Sequence, residues 1–386
     1  MDINKSNLKI CKKCIYDERV SQIKFDENGV CNFCSQIDEL KIIYGTGTKI
    51  GSKLLDKIVQ EIKSNGIGRK YDVIVGLSGG TDSSYMLYLS KKMGLRPLAV
   101  HYDNTWNSTI ASQNISKITK ALKVDLYTYV IDNKEADDIF KSFLLAGVPE
   151  LEASTDLGYA EILNRVASKF RVKYVFEGHS FIEEGITPLG KNYFDGRYIK
   201  SIHDQYGSLK MKTYPLMTFT RFLYWSIFRR IKKIRPLWYI NYDKKEAQEF
   251  LSRKFGWEYY GGHHLENRMA AFFHSYYYPK KFGGDYRNNT LSALVRNGKL
   301  SRQDAWDLYN TPPFIEDSLL DYFKSRMEFS EKKLVEIING PKKYWHDFKN
   351  YKKYFELMRP LFYILAKSNL VTMSFYLKYC FPINEK

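Results

Sequence analysis

Residues 78–83 read Ser-Gly-Gly-Thr-Asp-Ser, and they follow the apolar run Tyr71-Asp72-Val73-Ile74-Val75. Hydroxyls, two adjacent glycines and a carboxylate thus stand between a buried strand and a helical pattern that begins at Tyr85. Bare glycine backbone lets an anion approach closely and turns its N–H groups inward. A helix that follows adds unpaired N–H groups and the positive end of its dipole. Ser78, Gly79, Gly80, Thr81, Asp82, Ser83 and Ser84 therefore predict a phosphate cradle. It is not the common nucleotide loop. No Gly-x4-Gly-Lys-Ser/Thr occurs, so the lysine of that loop is missing, and no Gly-x-Gly-x-x-Gly follows a strand.

The cysteines are the second chemical signal. Four of the five form Cys11-x2-Cys14 and Cys31-x2-Cys34, with sixteen residues between the pairs. That spacing falls in the zinc-ribbon range. The intervening chain can fold back over Asp26-Glu27-Asn28-Gly29, a good turn sequence. Four thiolates close a tetrahedral site, so a bound Zn²⁺ would be structural. An iron cluster is the second reading. Cys380 lies in an aromatic, helix-like segment and reads as a packing residue.

These groups need a scaffold. The pattern predicts a helix over 53–64, a strand over 72–77 that ends in the cradle, and a strand over 97–103. A helix over 109–122, a strand over 124–131, helices over 135–146 and 157–170, and a strand over 172–178 follow. Strands alternating with helices imply an α/β fold, a Rossmann-like parallel sheet with helices on both faces and right-handed crossovers. Such sheets bind ligands at the carboxyl ends of their strands. That rule nominates the cradle, Asp103, and the stretch from Gly178 to Glu184. The expected organisation is a ribbon over 1–45, an α/β domain over 50–215, a substrate or interaction region over 216–310, and a helical extension over 311–386.

A net charge of +17 favours anionic partners. With 44% hydrophobic and 27% charged residues, a sizeable core is available and the chain as a whole is not disordered. The start, Met-Asp-Ile-Asn-Lys, has no apolar signal region, and no stretch is apolar enough to span a bilayer. The cytoplasm is the expected compartment. The densest basic run, Arg229 to Arg235, reads as a solvated helix face. The aromatic-basic stretch from Phe219 to Trp238 is either ordinary helix packing or a face for a partner or a membrane surface.

The loop resembles the Ser-Gly-Gly-x-Asp-Ser signature of the ATP pyrophosphatases, the PP-loop family with its adenine nucleotide alpha hydrolase-like fold. Members cleave ATP between its α and β phosphates and activate a carbonyl oxygen as an adenylate. The resemblance implies that Asp103 and Gly178 border the ATP site, and that Glu184, or its neighbour Glu183, holds Mg²⁺. Further blocks narrow it. Asp103-Asn104-x-Trp106, Thr155-Asp156, Gly185-Ile186-Thr187-Pro188, Gly256-Trp257-x-x-Tyr260-Gly261-Gly262 and Tyr278-Pro279-Lys280-Lys281-Phe282-Gly283 occur in order. Together with the cysteine pairs, they are similar to the N-acetyl sugar amidotransferases of surface-polysaccharide (lipopolysaccharide O-antigen or capsule) biosynthesis. The similarity covers about residues 8–310. In that family an acetamido group becomes acetamidino. The resemblance implies substrate contacts at Asp156, His263, Lys280, Lys281 and Arg287. The chain departs from the family pattern at His263-His264 and at Asp285 to Asn289, which bears on the acceptor sugar.

The implied reaction needs ammonia. A glutaminase needs a nucleophilic cysteine, and residue 2 is Asp while four cysteines are committed to metal. A glutaminase subunit, with a cyclase-like ammonia-channel subunit, is therefore the implied partner. Nucleic acid is not the expected ligand. A tRNA-modifying PP-loop enzyme and a non-catalytic scaffold of a polysaccharide-assembly complex remain the alternatives.

Overall fold

The structure, a computed structural model, describes residues 8–186, 193–262 and 265–382. At the amino end a tight turn carries the chain between the two cysteine pairs. Asp26 N–H donates to the Val30 carbonyl at 2.9 Å, and Gly29 takes φ +75°, a value that suits glycine. The second pair runs directly into helix α1 (Asn32–Tyr44), which Gly45 ends in the left-handed conformation. Helix α2 (Lys49–Asn65) follows, with Thr48 as its N-cap. Its residues Leu55, Val59 and Ile62 are buried against the sheet.

Five parallel strands form that sheet: β1 (Val73–Gly76), β2 (Pro97–Asp103), β3 (Leu126–Val130), β4 (Tyr174–Phe176) and β5 (Lys232–Ile234). Their order is β3-β2-β1-β4-β5. Helices α3 (Thr81–Lys92), α4 (Thr109–Leu122), α5 (Asn133–Ala146), α6 (Ala153–Lys169) and α7 (Gly196–Tyr206) connect or flank them. Alternation along the strands divides the core. Val73, Val75, Leu77 and Ala99 point to the layer of α2, α3 and α4. Ile74, Leu98, Val100 and Tyr102 point to the layer of α5, α6 and α7. Strands covered on both faces have no solvent side, so they read as unbroken apolar runs. Each such side chain contributes roughly 1.5–3 kcal/mol on burial.

The sheet domain extends further along the chain than the boundary expected at 215. The run expected as a solvated helix face instead contains β5, paired with β4. Its charges are used inside the protein: Lys233 bonds to Asn164, and Arg235 pairs with Glu177 at 2.9 Å. Helix Lys244–Phe255 packs on α3 through rings such as Phe250 and Tyr88, 4.6 Å apart. The region after 310 also shares the main core. The Phe323 ring stacks on Phe272 at 3.5 Å, and the Arg326 guanidinium lies 3.9 Å over the Trp106 ring while pairing with Asp137. Helices Lys352–Leu357, Arg359–Lys367 and Met373–Tyr379 build a separate aromatic cluster around Phe355, Phe362 and the buried Cys380.

Candidate active site

From β1 the chain steps outward through β2 to β3, then returns to the other side of β1 as β4. The crevice between the carboxyl ends of β1 and β4 is the topological switch point. The Ser-Gly-Gly loop leaves one side of it, and Gly178 to Glu184 leave the other.

Helix α3 begins at Thr81, four residues before the start expected from the apolar pattern, because Thr81, Asp82, Ser83 and Ser84 form its first turn. Their side chains are polar, so hydrophobic periodicity does not register them. The early start leaves the N–H groups of Thr81, Asp82 and Ser83 without intrahelical acceptors, at the rim of the loop. The loop is drawn tight by its own hydroxyls. Ser78 N–H donates to Ser83 Oγ at 3.2 Å, and Gly80 N–H donates to Ser78 Oγ at 3.3 Å. Ser78 itself is exposed, while Gly79 and Gly80 are buried. Gly79 sits at φ +87°, and a Cβ there would lie 2.3 Å from the Ala111 carbonyl oxygen. Trp257 Nε1–H and Asn114 Nδ2–H donate to the Gly79 carbonyl at 3.1 and 3.4 Å, which fixes the peptide from outside. A Cβ on Gly178 would meet the Asp82 backbone at 3.1 Å, so the two strand ends are in contact.

Asp82 and Glu184, taken from the two sides of the crevice, share one cation. Lys244 Nζ lies 2.7 Å from Asp82 Oδ2 and 3.0 Å from Glu184 Oε1, and Tyr242 donates its hydroxyl to Asp82 Oδ1. Burial raises the Asp82 carboxyl above its ordinary value, and Lys244 opposes the shift. Burial works against the charge of Lys244 as well, but Asp82 and Glu184 outweigh it and hold the ammonium well above the usual lysine range. Two carboxylates that converge on one cation are the donor type that fits a divalent ion bridging phosphates. Glu183 is placed differently. It is buried, accepts from the Lys244 backbone N–H at 3.2 Å and pairs with Lys299. It anchors the loop, and Glu184 is the residue that faces Asp82.

The remaining expected site residues divide. Asp103 accepts from Thr105 N–H at 2.7 Å and shapes its own turn. Asp156 lies in the first turn of α6, three residues before Tyr159, whose hydroxyl packs so closely on Gly76 that no side chain fits there. Lys280 is exposed. Two of the expected substrate contacts, Lys281 and Arg287, have partners within the protein. Lys281 is buried and donates to the Ile337 and Gly340 carbonyls at 2.7 and 3.0 Å, at the end of helix Glu331–Asn339. Arg287 is held by Asp285 and by the Leu308 and Thr311 carbonyls. Both cations donate to carbonyls at helix ends, where intrahelical donors run out. His263, Thr187 and Pro188 lie outside the described residues.

Sequence reasoning missed Lys244, Tyr242, Tyr260 and Glu266. A Cβ on Gly80 would lie 3.1 Å from both Tyr260 Oη and Glu266 Oε1, so these two side chains roof the loop. One signal was available for Lys244. A lysine directly after the Asp243 N-cap stands at the positive end of a helix, where it is unfavourable unless an acid faces it. Beside this roof, a cavity of about 300 Å³ is lined by Ser108, Tyr260, Leu265, Arg268 and Phe314.

The four amino-terminal cysteines are buried together, and their sulfurs lie within 4.8 Å of one another. Cys11–Cys34 and Cys14–Cys31 are separated by 3.8 Å, and Cys31–Cys34 by 3.6 Å. A tetrahedron with zinc–sulfur arms of about 2.3 Å has edges of about 3.8 Å. The set therefore fits one tetrahedral ion, and a four-iron cube would hold its thiolates further apart. Backbone N–H groups of Lys13, Tyr16 and Cys31 point at these sulfurs, and Arg296 Nε donates to Cys34 at 3.2 Å.

Residues 266–361 match the family model described as "LPS biosynthesis protein WbpG-like, C-terminal domain". Among curated proteins, tRNA(Ile)-lysidine synthase of Chlamydia trachomatis is 25% identical over 174 residues, 45% of this chain and 46% of that protein. The enzyme of the same name from Chlamydia muridarum is 24% identical over 191 residues, 49% of this chain and 56% of that one. The chain thus spans about half the length of the curated relatives it matches. Among solved structures, NMN synthetase from Francisella tularensis aligns with TM-score 0.33 and 14% identity over 72% of this chain and 93% of that one. NH3-dependent NAD synthetase from Campylobacter jejuni aligns with TM-score 0.30 and 14% identity over 76% of this chain and 98% of that one. The matched block supplies Glu266 over the loop and Arg296 beside the cysteines, which ties it to both centres. Residues 266–361 are thus similar to the C-terminal domain of WbpG-like lipopolysaccharide-biosynthesis proteins, in a chain whose Ser-Gly-Gly-Thr-Asp-Ser loop stands at the switch point of a parallel sheet.

Proposed function

We propose that the protein is an ATP-dependent N-acetyl sugar amidotransferase, acting in the cytoplasm on a nucleotide-linked sugar during surface-polysaccharide biosynthesis. The observation that carries this reading is the pair Asp82 and Glu184, which converge on one cation beside an exposed Ser78 and the open end of α3. An amide carbonyl is a poor electrophile toward ammonia, so it must be activated. The acetamido oxygen attacks the α-phosphorus of ATP, the bond to the β-phosphate oxygen breaks, and pyrophosphate leaves. The amide nitrogen gives up its proton, and the product is an O-adenylyl imidate. Ammonia then adds to the imidate carbon, AMP departs with the former amide oxygen, and the amidine remains.

The loop N–H groups and the hydroxyls of Ser78 and Ser83 would receive the leaving pyrophosphate, where charge develops. Asp82 and Glu184 would hold Mg²⁺, which supplies charge neutralisation at the phosphates. Lys244 would then turn from the carboxylates to the same phosphates. Tyr260 and Glu266 over the loop would limit the access of water to the adenylate. Arg268 in the adjoining cavity would pair with an acidic sugar or its diphosphate. Structural Zn²⁺ would be held by Cys11, Cys14, Cys31 and Cys34.

The ammonia would come from a separate glutaminase subunit, with a cyclase-like subunit completing the channel. Cys380 does not serve as a glutaminase nucleophile in this reading, because it is buried and burial pushes its thiol up to about 12. The test is pyrophosphate exchange into ATP with a panel of acetamido nucleotide-sugars and tRNA, followed by mass spectrometry with ¹⁵N-ammonium or amide-¹⁵N glutamine. Exchange that depends on an acetamido sugar, with label from ammonium alone, is expected of the single chain. Label from glutamine without a second protein would overturn the partner, and exchange that depends only on tRNA would move the chain to the second reading. That second reading, a tRNA-modifying enzyme, rests on the similarity to lysidine synthases and the charge of +17.

A further inference from the structure

The three terminal helices bury one side of themselves in their own aromatic cluster. Helix Arg359–Lys367 shows why. Phe362, Leu365 and Ala366 fall on its inner face, while Tyr363, Ile364 and Lys367 fall on the outer one. The outer face carries apolar side chains among its cations. Leu357 is 80% exposed and Ile364 63% exposed, and Tyr354, Tyr363 and Phe381 are also solvent-facing. Single exposed apolar residues are ordinary, but a connected set is not.

Ring contacts join Tyr363 and Phe381 through Tyr376. The Tyr363 ring lies 5.4 Å from Tyr376, and Tyr376 lies 5.2 Å from Phe381. Each end of this row carries a cation. Lys367 Nζ is 5.5 Å from the Tyr363 ring, and the Arg359 guanidinium is 5.3 Å from the Phe381 ring. The charges are also one-sided. Residues 351–382 hold five basic side chains and one acidic one, Glu356. Glu356 is taken by the buried Lys352 at 2.9 Å. Among the described residues no carboxylate pairs with Lys353, Arg359 or Lys367. A second exposed stripe, Tyr224, Ile227 and Phe228 followed by Arg229 and Arg230, is carried by a segment that joins the same cluster. The link is Phe222, 6.0 Å from Phe362.

We infer that this face docks the protein on an anionic membrane surface. An interfacial surface needs apolar and aromatic side chains at the acyl boundary and cations level with the headgroups. Rings with lysine or arginine laid over them meet both needs at once, since long basic side chains run along apolar surface and keep their charge in the polar layer. Among the described residues no carboxylate pairs with Lys353, Arg359 or Lys367, so their charge is available to anionic lipid. No helix of the described residues is long and apolar enough to cross a membrane, so the element lies on the bilayer. The occupant that fits is a lipid surface, because the cations are dispersed among the apolar groups rather than ranged around a recessed apolar centre.

The experiment is co-sedimentation of the full chain with vesicles of phosphatidylcholine alone or of an equimolar mixture with phosphatidylglycerol. Binding to the mixed vesicles should be about tenfold tighter or more, and it should weaken with salt. The double variant Arg359→Glu/Lys367→Glu should lose about tenfold or more of that affinity. The variant Leu357→Ser/Ile364→Ser should lose the part that survives high salt. Lys91→Glu/Lys92→Glu, at the exposed end of α3, should bind as the wild type does. All four side chains in the first two variants are outward, so circular dichroism and the unfolding temperature should not change. Equal binding by the face variants and the Lys91/Lys92 control would overturn the inference. So would no vesicle binding by the wild type, or a self-association lost only in the face variants, which would assign the surface to a protein partner.

Discussion

Lys244 Nζ stands 2.7 Å from Asp82 Oδ2, on a helix that begins 162 residues after Asp82 in the chain. The same ammonium is 3.0 Å from Glu184. It occupies the point between two carboxylates where a phosphate-bound divalent cation would sit.

Removing it should therefore expose the pair. In Lys244→Met, Asp82 and Glu184 face each other with no cation between them, at a cost of about 2 kcal/mol. Thermal unfolding should show the loss at neutral pH, and millimolar MgCl2 should restore part of it. The wild type should respond much less to the same salt. An equal magnesium response in both proteins would refute the exchange of Lys244 for a divalent ion.

On the proposed function, the loop side chains act at the phosphates. Asp82→Ala and Ser78→Ala should each lower pyrophosphate exchange by about a hundredfold or more. The unfolding temperature of Ser78→Ala should stay near that of the wild type, because Ser78 is exposed. Wild-type exchange in both variants would remove the ATP assignment.

The cysteine set should bind one zinc per chain. Cys31→Ser should destabilise the amino-terminal unit and α1, whose first turn begins at that residue, more than it alters the chemistry. Elemental analysis of freshly purified, reduced protein is the measurement. Iron with a visible absorption band would redirect the centre to cluster chemistry.

His179 predicts an acid limb of stability. Its Nδ1 accepts from Trp238 Nε1–H at 3.1 Å, and its Nε2–H donates to the Gly185 carbonyl at 3.1 Å. Burial, with Arg235 nearby, lowers its pKa to about 3, so the folded state holds it neutral. The unfolded chain protonates it near pH 6.5, and binding that proton favours unfolding. The full contribution is present above pH 6.5 and is lost as pH falls toward 3, by about 2 kcal/mol at pH 5. Unfolding temperatures from pH 7 to pH 5 should fall less steeply in His179→Asn. An unchanged slope would show that another group carries the limb.

Much of the sheet could be read from the chain. β2 and α4 fall where the pattern puts them, Pro97–Asp103 and Thr109–Leu122, because both carry apolar spacing within clear turn signals. β5 was not legible. Its residues, Lys232, Lys233 and Ile234, read as part of a basic run, and only the edge position beside β4 lets Lys233 reach Asn164 and Arg235 reach Glu177. The partners of Lys281 and Arg287 were not legible for a related reason. A basic residue in a resembling block looks like a substrate contact until the fold shows which carbonyls it must pair.

By itself the sequence determined the chemistry that is local. A glycine loop between a strand and a helix, and four cysteines in two pairs, carry their geometry within a few residues of chain, since backbone sterics and ligand spacing act at short range. The tertiary structure decided everything that needs two distant segments. It turned Glu184 toward the cation of Asp82 and Glu183 toward Lys299, brought Lys244 and Tyr242 to Asp82, and laid Tyr260 and Glu266 over Gly80. The reason is physical. Ion pairs and burial depend on distance in space, and the order of strands in a sheet sets that distance without leaving a mark on residue spacing.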